Sequence, residues 1–122
     1  MPSILIVEDE AATAWALAES LSDEGYAITT VETAEAALES YKREPVDLVI
    51  TDVRLPRMNG VELARRLGAR KKPAPVIVVT AYGDEKVLKE IDALGVHAFF
   101  LKPFQMDRLR KSVQAALRAR AA

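Results

Sequence analysis

The chain has 122 residues, half of them apolar and 29% charged, with 17 basic side chains against 18 acidic ones and a formal net charge of −1. That is one domain's worth of sequence, long enough to bury a core without covalent staples, and its charge balance lacks the basic excess of a typical nucleic-acid binder. Cysteine is absent, which excludes a disulfide frame, a thiolate nucleophile and a sulfur metal site. The opening Met1-Pro2-Ser3-Ile4-Leu5-Ile6-Val7 has no basic leader and too short an apolar run for a signal peptide or a membrane span, so a cytoplasmic single domain over residues 1–122, with no effector domain, is expected.

Ile4 to Val7 is continuously apolar, as a strand buried on both faces requires. Ala14, Leu17, Ala18 and Leu21 follow at helical spacing and stop at Glu24-Gly25, a C-terminal glycine signal. A second strand, Ala27 to Val31, leads to a helix carrying Ala34, Ala37, Leu38 and Tyr41. Thr33 suits its N-cap, and Glu35 suits the positive end of its dipole. Leu48 to Thr51 is the third strand, and a helix runs from about Val61 through Leu63, Ala64 and Leu67. The densest basic run, Arg65, Arg66, Arg70, Lys71 and Lys72, reads as a solvated helix end. Val76 to Thr80 is again continuously apolar, and a fourth helix starts near Asp84 and carries Val87, Leu88, Ile91 and Leu94 up to Gly95. Ala98 to Leu101 and a helix with Met106, Leu109, Val113, Ala116 and Leu117 complete five βα units. Such alternation implies a parallel sheet with right-handed crossovers and helices on both faces, the first and fourth strands inside it; periodicity leaves the strand order open.

In any doubly wound arrangement the C-terminal ends of the strands share one edge. Glu8-Asp9-Glu10, Asp52, Thr80-Ala81 and Lys102-Pro103 therefore converge, although they are far apart in sequence. Three neighbouring carboxylates repel one another, so either one is protonated or a hard cation neutralises them, and oxygen-only ligands favour Mg2+. Metal binding is the simpler reading, with Glu8, Asp9, Asp52 and one loop carbonyl as ligands. Lys102 and the ion then clamp Asp52 with positive charge, which suits phosphoryl transfer to an aspartate nucleophile.

The chain resembles the receiver domain of two-component response regulators over essentially its whole length. The resemblance is carried by Ile6-Val7-Glu8-Asp9-Glu10, by Asp52-x-x-x-Pro56-x-Met58-x-Gly60, by Val79-Thr80-Ala81-Tyr82-Gly83, and by Phe99-Phe100-Leu101-Lys102-Pro103-Phe104. It implies a flavodoxin-like α/β fold, (βα)5, with strand order 2-1-3-4-5. It makes Asp52 the phosphoacceptor, Glu8 and Asp9 the acidic pair at a Mg2+ that Asp52 and the Arg54 backbone carbonyl also bind, and Lys102, joined to Pro103 by a cis bond, the holder of a phosphate oxygen. Thr80 and Phe99 become the switch: the Thr80 hydroxyl turns to the phosphate, the Phe99 ring turns inward, and the surface of the fourth helix, fifth strand and fifth helix changes shape. The implied phosphodonor is a histidine kinase or histidine phosphotransfer protein. Homodimerisation through that surface is an implied consequence, with no direct nucleic-acid or membrane contact. The protein would promote its own phosphorylation and dephosphorylation without turning over an external substrate.

Several positions depart from the usual receiver pattern. Glu8 stands where many receivers have aspartate, and Phe99 where tyrosine is frequent, so packing alone must drive the switch ring. Arg54 and Tyr82, each two residues past a site residue, are large enough to shield the phosphate from water. Trp15 reads either as an ordinary aromatic or as part of a docking face for a partner helix bundle. Among other functions, an aspartate-nucleophile phosphatase of the haloacid dehalogenase type is disfavoured because Arg54 stands where such an enzyme carries its second aspartate. A flavin or nucleotide binder is disfavoured because the loop after the first strand is acidic, not a cradle of free amides.

Overall fold

Alternate residues of a strand face opposite sides of a sheet, and in the interior strands here both sets are apolar. The computed structural model describes residues 1–81 and 83–121. Strands β1 (Ser3–Val7), β2 (Ala27–Val31), β3 (Leu48–Thr51), β4 (Val76–Thr80) and β5 (Ala98–Leu101) alternate with helices α1 (Ala11–Ser22), α2 (Ala34–Arg43), α3 (Gly60–Gly68), α4 (Glu85–Ala93) and α5 (Met106–Ala121). All neighbouring strands are parallel, in the order β2-β1-β3-β4-β5. Four strand segments match those expected from sequence and β1 begins one residue earlier, at Ser3; β1 and β4 are interior, with β3 between them.

Two cores form, one on each face of the sheet. Leu5, Val7, Val49, Val76 and Val78 meet Ala37 and Tyr41 of α2, Leu63 and Leu67 of α3, and Ile91 of α4. Ile4, Ile6, Leu48, Ile50, Ile77 and Val79 meet Leu17 and Leu21 of α1, and Leu109 and Val113 of α5. Ile4, Leu5, Ile6, Leu48, Val49, Ile50 and Ile77 expose no surface, and each such side chain contributes about 1.5–3 kcal/mol of burial. The edge strands are more open, with β2 mostly exposed and Leu101 at the end of β5 half exposed.

Local signals set the helix ends. Thr33 caps α2 by accepting from the Ala36 amide at 3.0 Å, as expected, and Asn59 and Asp84 cap α3 and α4 through the Glu62 and Val87 amides. Gly25 and Gly95, beyond α1 and α4, have φ of 92° and 69°, conformations in which glycine avoids a Cβ clash. One expected core position differs: Val87, Ile91 and Leu94 of the fourth helical segment pack inward, but Leu88 is 37% exposed. α4 packs beside α3, and Leu88 instead lines the open groove between α4 and β5. Among the described residues no helix is long and apolar enough to cross a membrane.

The chain runs from β1 outward to β2 and then back past β1 to β3. Crossovers on either side of this reversal leave a crevice at the C-terminal ends of β1 and β3. Glu8 and Asp52 each lie one residue beyond those ends.

Candidate functional site

The sheet ladder continues one residue past each strand that supplies a functional group. The Glu8 amide donates to the Val31 carbonyl at 3.0 Å, the Asp52 amide to Val7 at 3.1 Å, and the Lys102 amide to Thr80 at 2.8 Å. Backbone pairing therefore fixes the roots of Glu8, Asp52 and Lys102 along one edge. Lys102 follows β5 and is joined to Pro103 by a cis peptide bond, as the resemblance implied.

From there the side chains meet. Lys102 Nζ donates to Glu8 Oε1 and to Asp52 Oδ2, both at 2.7 Å. The second oxygen of each carboxylate accepts a backbone amide, Glu8 Oε2 from Glu10 at 3.2 Å and Asp52 Oδ1 from Arg54 at 3.1 Å. Glu8 is 2% exposed and Asp52 6%, whereas the Lys102 side chain keeps 20% of its surface open. Two buried carboxylates thus share one ammonium, and the cluster is one positive charge short of neutrality. Burial, with a contribution from the Asp52 charge, pushes the Glu8 carboxyl above its ordinary range, against the opposing bonds from Lys102 and the Glu10 amide. Burial also disfavours the Lys102 charge, but its bonds to Asp52 and Glu8 together outweigh that and hold it above the usual lysine range.

Asp9 is exposed at the rim of the crevice, and so is the Arg54 side chain. Among the described residues no three of His, Cys, Asp and Glu converge closely enough to cage a metal ion; Lys102 stands between the two buried carboxylates. The donors are nevertheless of one kind: carboxylates of Glu8, Asp9 and Asp52 and backbone carbonyls, in a cluster that lacks positive charge. That set fits Mg2+, which takes one or two carboxylates and keeps several waters, and does not demand an all-protein cage.

Thr80 is wholly buried at the end of β4. In the β4–β5 register Val78 faces Phe99 and Thr80 faces Leu101, so Thr80 and Phe99 are diagonal neighbours on the same face of the sheet. Phe99 is partly buried against the core shared by α2, α3 and α4, and it lines an open groove of about 510 Å³ between α4 and β5 with Leu88, Ile91 and His97. Tyr82, the second of the two expected shielding side chains, lies outside the described residues. Trp15 is 67% exposed on α1.

Two contributions were not legible in sequence as site chemistry. Gly60, the last residue of the Asp52-x-x-x-Pro56-x-Met58-x-Gly60 motif, lets α3 begin against the backbone of Asp52: a Cβ there would lie 2.0 Å from the Asp52 carbonyl oxygen and 2.9 Å from its carbon. The Gly60 amide donates to the Val53 carbonyl at 2.8 Å, and the buried Thr51 hydroxyl donates to the Asp52 carbonyl at 2.9 Å. The amides of Glu10 and Arg54, which orient the two carboxylates, carry no side-chain signal at all.

Comparison with known proteins agrees with this geometry. A family model described as response regulator receiver domain matches residues 4–114. The transcriptional regulatory protein FixJ of Bradyrhizobium diazoefficiens is 33% identical over 94% of this chain and 56% of its own length. Sporulation initiation phosphotransferase F of Bacillus subtilis is 34% identical over 93% of this chain and 92% of its own. Among solved structures, a CheY-like response regulator receiver domain protein from Methanospirillum hungatei superposes with a TM-score of 0.94 at 26% identity, covering 99% of this chain and 97% of that one. Chemotaxis response regulator CheY4 of Vibrio cholerae gives 0.87 at 27% identity, covering 96% and 99%. The chain spans about half the length of FixJ and nearly all of the sporulation phosphotransferase.

Proposed function

Since the chain belongs to the response regulator receiver family, a family of phosphorylation-dependent signalling modules, we propose that Asp52 is its phosphoacceptor and that a phosphohistidine of a histidine kinase or phosphotransfer protein is the donor. The observation that carries this reading is the Lys102 ammonium, 2.7 Å from both Glu8 and Asp52 at the C-terminal edge of the sheet. In the transfer an Asp52 carboxylate oxygen attacks phosphorus. The new O–P bond forms as the P–N bond to the donor imidazole breaks, and the departing nitrogen keeps the bonding pair and takes up a proton. Lys102 neutralises the nucleophile beforehand and holds a phosphoryl oxygen afterwards, so its charge serves both states. Glu8, Asp9, Asp52 and the Arg54 carbonyl are the oxygens assigned to Mg2+, whose contribution when bound is to neutralise the phosphoryl oxygens during transfer.

An aspartyl phosphate adds negative charge and acceptor oxygens beside Thr80. The Thr80 hydroxyl donates to it, and Phe99, its diagonal neighbour, moves inward from the α4–β5 groove. The α4–β5–α5 surface then presents a different shape to a partner or to a second phosphorylated copy. Arg54, on the loop that leaves Asp52, restricts water at the phosphate and so sets how long the signal lasts.

The decisive test is incubation with Mg2+ and acetyl phosphate followed by intact mass. One added phosphoryl group on the wild type, absent from Asp52→Asn and absent with EDTA, is expected; labelling that persists in Asp52→Asn would place the acceptor elsewhere.

A further inference from the structure

Alternation along β3 places Thr51 on the same face of the sheet as Val49, which packs in the core with Leu63 and Leu67 of α3. An apolar side chain suits that position, yet Thr51 stands there with no exposed surface. A buried hydroxyl is costly unless it is bonded, and this one donates to the Asp52 carbonyl at 2.9 Å. Among the described residues no backbone amide reaches that carbonyl. The ladder ends on the Asp52 amide, which donates to Val7, and the Gly60 amide donates to Val53 instead. The carbonyl oxygen also lies 2.0 Å from where a Gly60 Cβ would stand, so the start of α3 crowds it without bonding to it. Valine would fill the same space against the core; only the hydroxyl bonds to the carbonyl.

We propose that Thr51 is a positioning residue for phosphoryl transfer, its hydroxyl fixing the Asp52–Val53 peptide and, through it, both the acceptor carboxylate and the Arg54 carbonyl. The inference rests on the assignment of Asp52 as phosphoacceptor. Two residues past the strand end, the Arg54 amide donates back to Asp52 Oδ1 at 3.1 Å, an Asx turn, while Oδ2 accepts from Lys102 at 2.7 Å. The Asp52–Val53 peptide is the first link between that carboxylate and that amide. Rotating it carries the Arg54 amide off Oδ1, and the Arg54 carbonyl assigned to Mg2+ moves with the same loop. With Oδ1 released, only the Lys102 bond orients the carboxylate, and the attacking oxygen spends less time in line with phosphorus. Thr51 touches neither phosphate nor metal and acts through the backbone of its neighbour.

The test compares Thr51→Val, which removes the donor at nearly constant volume, with Thr51→Ser, which keeps it. Two readouts are taken: Mg2+ affinity by isothermal titration calorimetry with no phosphodonor present, and the initial rate of phosphorylation by acetyl phosphate at saturating Mg2+, by intact mass. Both should fall about 10- to 100-fold in Thr51→Val, as for other groups that orient site ligands, and return to within about threefold of wild type in Thr51→Ser. Ile4→Val, a truncation in the core near the start of β1, lowers Tm but should leave both readouts within about twofold. If Thr51→Val does not fold, Thr51→Ala is read in the same way. Thr51→Val within about twofold of wild type in both readouts, Thr51→Ser no better than Thr51→Val, or an equal loss in Ile4→Val would each overturn the proposal. A wild type that takes no phosphoryl group, or an Asp52→Asn protein that does, refutes the phosphoacceptor assignment instead, and the Mg2+ titration then decides on its own whether Thr51 positions the Arg54 carbonyl.

Discussion

Helix propensity and packing make opposite predictions for Gly60→Ala. On propensity alone, replacing glycine in the first turn of α3 stabilises by about 0.4–1 kcal/mol. The structure reverses the sign. The alanine Cβ would sit 2.0 Å from the Asp52 carbonyl oxygen, 2.9 Å from its carbon and 3.0 Å from the Val53 Cα, all backbone atoms that no rotamer change can move. Ordinary contact demands that α3 back away by more than 1 Å, roughly the shortfall from normal carbon–oxygen van der Waals spacing, and that loosens the 2.8 Å bond from the Gly60 amide to Val53. Overpacking of this kind costs about 1–3 kcal/mol and the bond about 1 more, so after the propensity gain the net is a loss of about 1–3.5 kcal/mol. In a chain of this length that lowers Tm by about 4–14 °C. Gly68, at the far end of the same helix, has nothing within 4 Å of its would-be Cβ, and Gly68→Ala should raise Tm by about 2–4 °C. Differential scanning calorimetry of both variants decides the matter. A Gly60→Ala protein that melts at or above the wild type would refute the claim that α3 rests on the Asp52 backbone.

Three further outcomes follow from the charge cluster. Lys102→Met leaves Glu8 and Asp52 buried without their cation, and because the site is partly open the cost should be about 1–3 kcal/mol at neutral pH, shrinking as the pH is lowered and Glu8, whose carboxyl burial already holds above its ordinary range, takes up a proton; a pH-independent loss in urea unfolding would contradict it. For Glu8, the raised native pKa means that folding takes up a proton between 4.5 and that value, so wild-type stability falls as pH rises through this window. Glu8→Gln, measured in EDTA, should lack that decline, and parallel pH profiles for the two proteins would rule the assignment out. Arg54→Ala should shorten the lifetime of the phosphorylated protein several-fold, read by the decay of phosphoprotein in Mg2+ buffer; an unchanged rate removes Arg54 as the shield.

Much of the architecture was legible in the chain because local rules and the global fold agree. Ile4-Leu5-Ile6-Val7 and Val76-Ile77-Val78-Val79 can only be strands covered on both faces, and Thr33, Gly25 and Gly95 mark helix ends through side-chain capping and φ preferences that act within a few residues. Leu88 was misplaced for the corresponding reason: helical spacing puts it with Val87 and Ile91, but how wide a stripe is buried depends on what packs beside α4.

Which side chains converge was likewise legible in the sequence, since Glu8, Asp52 and Lys102 each sit just past a strand and Thr80 ends one, and parallel strands must end together. Their relations were not. That one ammonium serves both Glu8 and Asp52 and that Gly60 must lack a Cβ to admit α3 are facts of distance between separate elements, and that the backbone amides of Glu10 and Arg54 hold the outer oxygens follows from how each loop turns just past its strand. The sequence by itself determined which groups exist and where along the chain each element begins. Only the tertiary structure decided which groups share a charge or a contact, because Coulombic and packing energies depend on separations of a few ångströms that no local preference specifies.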